Sequence, residues 1–205
     1  MIRNFVFDMG GVLMRFDPER AVRPYAQSEE DAELLKTVIF DSDEWLKLDA
    51  GAIEEEEALK AWLSRFPERL WDACRAVFAN WHRHMPFDDG MTFFVGALRA
   101  CGYRIFLLSN VSKRFYAFRD DTPVFSLMDG LFLSCDYHLL KPDPAIFKKF
   151  TEVYGLKAEE CFFIDDSERN VRSAAGAGFA AFRYTGDGEA LQREMKNRGI
   201  EFSGR

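Results

Sequence analysis

The hydrophobic positions of this chain follow two different patterns. Residues 2–7 form an apolar run rich in β-branched and aromatic side chains, which is typical of a buried strand. Residues 16–85 instead carry apolar side chains at helical spacing, with no run that resembles a strand. From Pro86 onward the two patterns alternate. This alternation predicts strands over residues 104–108, 131–135, 161–164 and 180–183, and helices over residues 88–101, 113–118, 167–177 and 189–198, with a further helix opening at Pro144.

Strands that alternate with helices predict an α/β fold with a doubly wound, Rossmann-like parallel sheet and right-handed crossovers. The helical segment interrupts this alternation directly after the first strand. We therefore expect two domains. Residues 1–15 and 86–205 would form the α/β core domain, and residues 16–85 would form an inserted helical bundle, which we call the cap.

Polar side chains follow the predicted strands. They are Asp8, the pair Ser109 and Asn110, Lys141, and the pair Asp165 and Asp166. The carboxyl ends of parallel strands share one edge of a sheet, which is where α/β folds bind ligands. Each group alone has an ordinary explanation, because Asp, Ser and Asn often cap helices and most lysines are solvated. Their joint occurrence, in order along the chain, indicates a single site.

An acid, a hydroxyl, a lysine and an acid pair suit phosphoryl transfer. A carboxylate can attack phosphorus, and carboxylates and backbone carbonyls supply the hard oxygen ligands that Mg²⁺ prefers. A lysine and a metal ion would offset the charge of the transferring group. The sequence therefore predicts a magnesium-dependent site for a small phosphate ester.

Composition and charge narrow the range of partners. The chain has 205 residues and a net charge of −7, which disfavours general nucleic-acid binding because that function needs a basic face. No apolar stretch reaches the length of about 18 residues that a transmembrane helix needs, and no signal segment is evident. We expect a cytoplasmic protein with no membrane partner. The four widely spaced cysteines predict buried reduced thiols, and the sequence leaves the oligomeric state open.

Four segments of the chain resemble the motifs of the haloacid dehalogenase (HAD) superfamily. They are FVFDMGGVL at residues 5–13, LLSN at residues 107–110, LKPDP at residues 140–144 and FIDDSERN at residues 163–170. The resemblance covers the whole chain, including a helical cap after the first motif. Each motif alone is common, whereas the combination is specific.

The resemblance implies a role for each residue of the predicted site. Asp8 would be the nucleophile that forms an aspartyl-phosphate. Ser109 and Asn110 would hold the phosphoryl oxygens, and Lys141 would steady that charge and the nucleophile. The implied Mg²⁺ ligands are Asp8, the backbone carbonyl of Gly10, Asp165 and Asp166, and the cap would select the substrate.

Gly10 departs from the pattern of the family's phosphatases, which usually carry a second Asp there as general acid and base. The family's metal-free 2-haloacid dehalogenases also lack that acid, but they have no need for an acid pair such as Asp165 and Asp166. The chain also resembles a subgroup with Gly at this place that includes sugar-phosphate (glucose 1-phosphate) phosphatases. A third alternative is a binder of phosphometabolites with little turnover. Because the general acid is missing at Gly10, we expect a phosphatase of this kind to favour esters with good leaving groups, such as aryl or anomeric phosphates.

Several cap residues are candidates for substrate contact. They are Arg15, Arg20, Asp43, Trp45 and Arg83. Trp45 would suit a sugar ring, and Arg15 and Arg20 could assist with phosphate. His82 and His84 are two residues apart and do not share a helix face, so we expect no metal pair there.

Overall fold

The computed structural model describes residues 1–200. Its centre is a parallel sheet with the strand order β3-β2-β1-β4-β5. The strands are β1 (Asn4–Phe7), β2 (Arg104–Ser109), β3 (Gly130–Leu133), β4 (Cys161–Asp165) and β5 (Ala180–Arg183). The predicted fold class is confirmed, because all four neighbouring pairs run parallel and strands alternate with helices after residue 86.

Helices cover both faces of the sheet, because successive strand residues point to opposite sides. The core-domain helices are α6 (Asp89–Ala100), α7 (Ser134–Tyr137), α8 (Pro144–Tyr154), α9 (Glu168–Gly176) and α10 (Gly188–Asn197). Val6 and Phe163 point to the face that α8 and α9 cover. Phe5 and Phe162 point to the opposite face, where α6 and α10 pack. The central strands are therefore buried on both sides, which explains their continuous apolar runs.

The cap is entirely helical within the described residues. Its helices are α1 (Pro18–Val22), α2 (Glu29–Phe40), α3 (Asp43–Asp49), α4 (Glu55–Leu63) and α5 (Trp71–Asn80), joined by short 3-10 turns. Side-chain oxygens of Ser28 and Ser42 cap α2 and α3 by accepting hydrogen bonds from backbone N–H groups. The apolar faces of these helices join the core that covers one side of the sheet.

The chain leaves and re-enters the core domain at adjacent points. The backbone N–H of Arg15 donates to the carbonyl of Pro86 at 3.0 Å, and that of Asp88 donates to the carbonyl of Leu13 at 2.8 Å. Met14 and Phe87 form the antiparallel bridge between these hydrogen bonds. The division into a core domain and a cap at residues 15 and 86 stays a prediction, and this pairing at the two connections supports it.

Two elements differ from the prediction. Residues 113–118, expected as a helix, begin a series of 3-10 turns (Lys113–Ala117, Arg119–Asp121 and Pro123–Leu127). Pro123, which begins the last of these turns, has no N–H, so no single helix can run on through it. β3 stops at Leu133, and the next residues turn into α7. There the Ser134 hydroxyl accepts a hydrogen bond from the backbone N–H of Val111 at 2.9 Å.

Two further expectations concern the cysteines and the membrane. Cys74, Cys135 and Cys161 are buried thiols, as expected, whereas Cys101 at the end of α6 is exposed. Within residues 1–200, no helix combines the length and the apolar character needed to cross a membrane.

Candidate active site

The structure brings the predicted residues together at the carboxyl edge of the sheet. Asp8 directly follows β1, and Ser109 and Asp165 end β2 and β4. Lys141 comes from the loop between α7 and α8, and its ammonium lies 2.8 Å from Asp8 Oδ1 and 2.6 Å from Asp165 Oδ2. The Lys141 side chain is 1% exposed, so this cation is enclosed between two carboxylates.

Asp165 is a buried anion with a donor at each oxygen. Its Oδ2 accepts from Lys141, and its Oδ1 accepts from the backbone N–H of Ser167 at 2.8 Å. The Asn170 amide donates to both oxygens, at 3.0 and 3.1 Å. Asn170 belongs to the fourth motif but had no predicted role. Because Asn170 and Ser167 fix Asp165, the carboxylate in turn fixes the position of Lys141.

The side chain of Asn110 makes a pair of hydrogen bonds to a neighbouring backbone. Its Oδ1 accepts from the N–H of Lys141 at 2.8 Å, and its Nδ2 donates to the carbonyl of the same residue at 2.9 Å. The implied role of Asn110 was to hold phosphoryl oxygens. In this arrangement both of its polar groups already serve Lys141.

Burial and mutual repulsion raise the pKa values of acids at this site. Burial raises the pKa of Asp8 to about 6; Lys141 opposes this shift and the charge of Asp165 adds to it. Burial alone would lower the pKa of Lys141, but Asp8 and Asp165 outweigh it and raise that pKa above its usual value. The pKa of Asp166 is raised by burial and by its neighbour Asp165. One lysine therefore does not neutralise the three acids.

The three acids form a cluster of hard oxygen donors that fits a divalent cation. Asp8, Asp165 and Asp166 each offer a carboxylate oxygen, and these atoms all lie within 4.8 Å of one another. The loop after β1 makes room for Asp166, because a Cβ at Gly11 would lie 2.3 Å from its Oδ2. Gly11 also has φ +74°, so this close approach requires glycine.

A cavity of about 300 Å³ opens beside Asp8. Its lining includes the polar groups of the site, which are Asp8, Gly10, Ser109, Asn110 and Asp166. It also includes four aromatic side chains, Phe16, Phe40, Trp45 and Trp81, which we call the aromatic wall. Trp45 is central to this aromatic wall, with ring centroids 4.6 Å from Phe40 and 5.6 Å from Trp81. A phosphate ester bound at Asp8 would therefore share the cavity with these aromatic rings.

Comparison with known proteins assigns the chain to a family. It matches the haloacid dehalogenase-like hydrolases over residues 2–178, which is most of its length. The chain belongs to the haloacid dehalogenase-like hydrolase family. The resemblance drawn from the four motifs is thus confirmed.

Two curated relatives of this HAD-family chain are phosphatases. A sesquiterpene phosphatase of Aspergillus oryzae is 25% identical over 181 residues, which cover 88% of each protein. A D-ribitol-5-phosphate phosphatase of Bacteroides thetaiotaomicron is 26% identical over 203 residues, covering 89% of this chain and 92% of the relative. The predicted enzyme class, a HAD-like phosphatase, is confirmed by the family match and by relatives of that class.

Solved structures share the fold. A HAD family enzyme of Bacteroides thetaiotaomicron, in complex with magnesium and inorganic phosphate, has a TM-score of 0.71 and 25% identity, covering 93% of this chain and 99% of that one. An L-2-haloacid dehalogenase of Xanthobacter autotrophicus has a TM-score of 0.66 at 20% identity, and the match covers 98% of this chain and 85% of the dehalogenase. At this identity the likeness shows a shared fold alone.

Of the residues that we considered as candidates for substrate contact, all except Trp45 lie outside the cavity lining. Arg15, Arg20, Asp43 and Arg83 are exposed. Arg15 pairs with Asp17 at 3.6 Å instead. The two histidines have separate neighbours: the Nε2 of His84 lies 3.1 Å from the Tyr25 hydroxyl, and His82 stacks on Phe118.

Sequence reasoning missed a third acid that lines this cavity beside Asp8 and Asp166. Asp49, the last residue of α3, lines the cavity together with Asp8 and is 8% exposed. Burial raises the pKa of Asp49 to about 8; a hydrogen bond from the backbone N–H of Ser112 opposes the shift, and the charge of Asp8 adds to it. The sequence held one signal, since an acid at the carboxyl end of a helix is opposed by the helix dipole.

Proposed function

We propose that this HAD-family hydrolase cleaves a small phosphate monoester in a Mg²⁺-dependent reaction, through an aspartyl-phosphate on Asp8. The observation that carries the proposal is the placement of Asp8. Its carboxylate is held 2.8 Å from a buried lysine, in the lining of a cavity and beside two further acids. A nucleophile, a fixed cation and a cluster of oxygen ligands are what phosphoryl transfer needs at one point.

The reaction would proceed in two displacements at phosphorus. A carboxylate oxygen of Asp8 attacks the phosphorus atom, and the bond to the alcohol oxygen breaks. Water then attacks the aspartyl-phosphate and releases inorganic phosphate. Ser109, which lines the cavity together with Asp8, is the proposed hydroxyl donor to the phosphoryl oxygens. Lys141 steadies the charge of Asp8 and of the phosphoryl group, and Asn110 acts by holding the backbone of Lys141.

The proposed ligands of Mg²⁺ are Asp8, the carbonyl of Gly10, Asp166 and, directly or through water, Asp165. Asp165 already accepts four hydrogen bonds from three residues, which favours an indirect role for it. The ion would supply positive charge to the phosphoryl oxygens and lower the repulsion between Asp8 and its substrate. The acidity of this cluster supports a cation requirement, because Lys141 leaves negative charge in excess.

The aromatic wall supports a substrate whose alcohol is uncharged and has an apolar face. None of the described residues that line the cavity is a lysine or arginine, so a second anionic group would lie there without a partner. The two curated relatives act, by their names, on a sesquiterpene ester and on D-ribitol 5-phosphate. A sugar phosphate fits the same description, since the apolar face of a sugar ring can stack on Trp45.

The test is a screen of phosphate esters with Mg²⁺, with chelator, and with Mg²⁺ restored. The panel contains sugar phosphates, polyol phosphates, prenyl phosphates, nucleotides and small phosphoacids. We expect turnover that chelator abolishes and Mg²⁺ restores, and none with Asp8→Asn, which keeps the shape of the side chain but removes the attacking carboxylate. Full hydrolysis by a folded Asp8→Asn protein would exclude Asp8 as nucleophile. Chelator-resistant halide release from a 2-haloacid, without phosphatase activity, would establish a dehalogenase, and tight ester binding without turnover would establish a binder.

A further inference from the structure

Gly10 leaves the reaction without a side chain that can protonate the departing alcohol. Hydrolysis of a poorly activated ester needs such a proton, because an alkoxide is a strongly basic leaving group. The cavity contains one carboxyl group that the steps above do not use. This group belongs to Asp49, which comes from the cap and lines the same cavity as Asp8, Gly10 and Trp45.

The core domain holds Asp49 in place from several directions. The Ser134 hydroxyl donates to the carbonyl of Asp49, and the Ser112 N–H donates to its carboxylate. Next along the chain, the carbonyl of Ala50 lies 3.0 Å from His138 Nδ1. Gly51 then passes so close to the core that a Cβ there would lie 2.2 Å from the carbonyl oxygen of Cys135. The end of α3 is therefore docked on the core beside the active site.

We propose that Asp49 is the general acid and base of this enzyme, in the place of the acid that Gly10 lacks. This inference rests on the proposed function. In the first displacement, the bond between phosphorus and the ester oxygen breaks as Asp8 attacks, and the Asp49 carboxyl gives its proton to that oxygen. In the second, the Asp49 carboxylate takes a proton from the attacking water, the bond between phosphorus and Asp8 breaks, and HPO₄²⁻ leaves. Asp8 is again a carboxylate and Asp49 again a carboxylic acid.

The surroundings of Asp49 support the protonation state that the first step needs. Burial, with the nearby charge of Asp8, raises its pKa to about 8, which favours the protonated form near neutral pH. Among the described residues, no cation contributes to this pKa by stabilising the carboxylate form. A purely structural residue here would be better served by Asn, which accepts the same hydrogen bond from Ser112 without an acid at the negative end of α3.

The test compares Asp49→Asn with the wild type on two kinds of ester. With an alkyl phosphate, we expect kcat/KM, which reports the first displacement, to fall by about 10² to 10⁴-fold, because general acid catalysis typically contributes that much. With p-nitrophenyl phosphate, whose leaving group needs no proton, we expect kcat/KM to fall by less than about tenfold. Its kcat should fall more than its kcat/KM, because Asp49 is also the base that activates water in the second displacement. Asp41→Asn is the matched control, since Asp41 is exposed on the same cap and lies outside the cavity lining.

A second substitution separates catalysis from structure. A Cβ at Gly10 would lie 3.5 Å from the Cβ of Phe16, which is ordinary contact, so Gly10→Asp can place an acid in the usual position of the family. We expect Gly10→Asp in the Asp49→Asn background to restore turnover of the alkyl ester. A structural defect at Asp49 would not be repaired from Gly10.

The outcomes distinguish the inference from the proposed function. An equal loss of kcat/KM on both esters, or no loss, would overturn the role of Asp49 as general acid while phosphatase activity of the wild type still stood. No hydrolysis of any ester by the wild type would overturn the proposed function itself. If Asp49→Asn does not fold, the wild type is the test. Acid catalysis by Asp49 predicts a shallow dependence of kcat/KM on the pKa of the leaving group, and a steep dependence would contradict it.

Discussion

The side-chain amide of Asn110 makes two hydrogen bonds to the backbone of Lys141, accepting from its N–H at 2.8 Å and donating to its carbonyl at 2.9 Å. The two residues follow different strands of the sheet and are 31 positions apart in sequence. This pairing fixes the position of the Lys141 backbone, and the ion pair with Asp165 fixes the position of the Lys141 ammonium group. Asn110, which the motif implied as a ligand of the phosphoryl group, therefore holds the backbone of Lys141 in this structure.

We expect Asn110→Ala to lower kcat by about 10- to 100-fold, because a misplaced catalytic group costs rate even when it remains present. The loss of two hydrogen bonds should also lower the free energy of unfolding by about 1–3 kcal/mol. Steady-state kinetics and denaturant unfolding check both values. If Asn110 instead binds the phosphoryl group directly, the change would appear mainly as a higher KM and a weaker affinity for inorganic phosphate.

We expect Lys141→Met to destabilise the fold by about 3–5 kcal/mol, because it leaves two buried carboxylates without their cation. Without Lys141, which lowers the pKa of Asp8 in the wild type, that pKa should lie above its wild-type value of about 6, so the defect should shrink as the pH falls from 8 to 5 and Asp8 takes up a proton. Thermal unfolding at pH 5 and pH 8 measures this difference. Lys148→Met is the matched control, since Lys148 is exposed on α8, and its unfolding should show no such pH dependence.

Gly51→Ala should undock the end of α3 from the core. Gly51 has φ +63°, and a Cβ there would collide with the backbone carbonyl of Cys135. Gly155→Ala is a matched control for backbone strain, since Gly155 has φ +62° but open space around its Cβ. We expect the control to lose about 1–2 kcal/mol of stability. Gly51→Ala should lose more and should also lose activity on alkyl phosphates. Equal stability of the two variants, with full activity, would contradict the docking.

The metal-free protein should become less stable as the pH rises from about 4 to 8. Asp8 and Asp49 have pKa values of about 6 and 8 when folded, above the usual carboxyl value, so the folded state binds more protons than the unfolded chain in this window. Asp49→Asn should flatten the decline between pH 6 and 8. The comparison is made in chelator, and other groups such as His82 contribute equally to both proteins. Parallel curves for the two proteins would show that Asp49 is ionised throughout.

The sheet and the catalytic edge could be predicted because both follow from local patterns. Apolar runs identify buried strands, and parallel topology brings their carboxyl ends together, so Asp8, Lys141 and Asp165 were expected at one place. The contacts of the cap could not be predicted in this way. Asp49 reaches the site only because α3 docks against Ser112 and Ser134, residues far away in sequence. The second role of Asn110 was hidden for the same reason, since it depends on the path of a distant loop.

The antiparallel contact of Met14 with Phe87 has a consequence for how such an enzyme could diversify. Since the chain departs and returns at one spot, the intervening 70 or so residues could be exchanged as a unit for another segment. Such recombination would leave every hydrogen bond of the sheet in place. Most HAD-type catalytic groups would survive the exchange unchanged. The proton donor would not, if it is Asp49, so a transplanted segment would carry both a new aromatic wall and a new acid. Selectivity and chemical competence would then be inherited together.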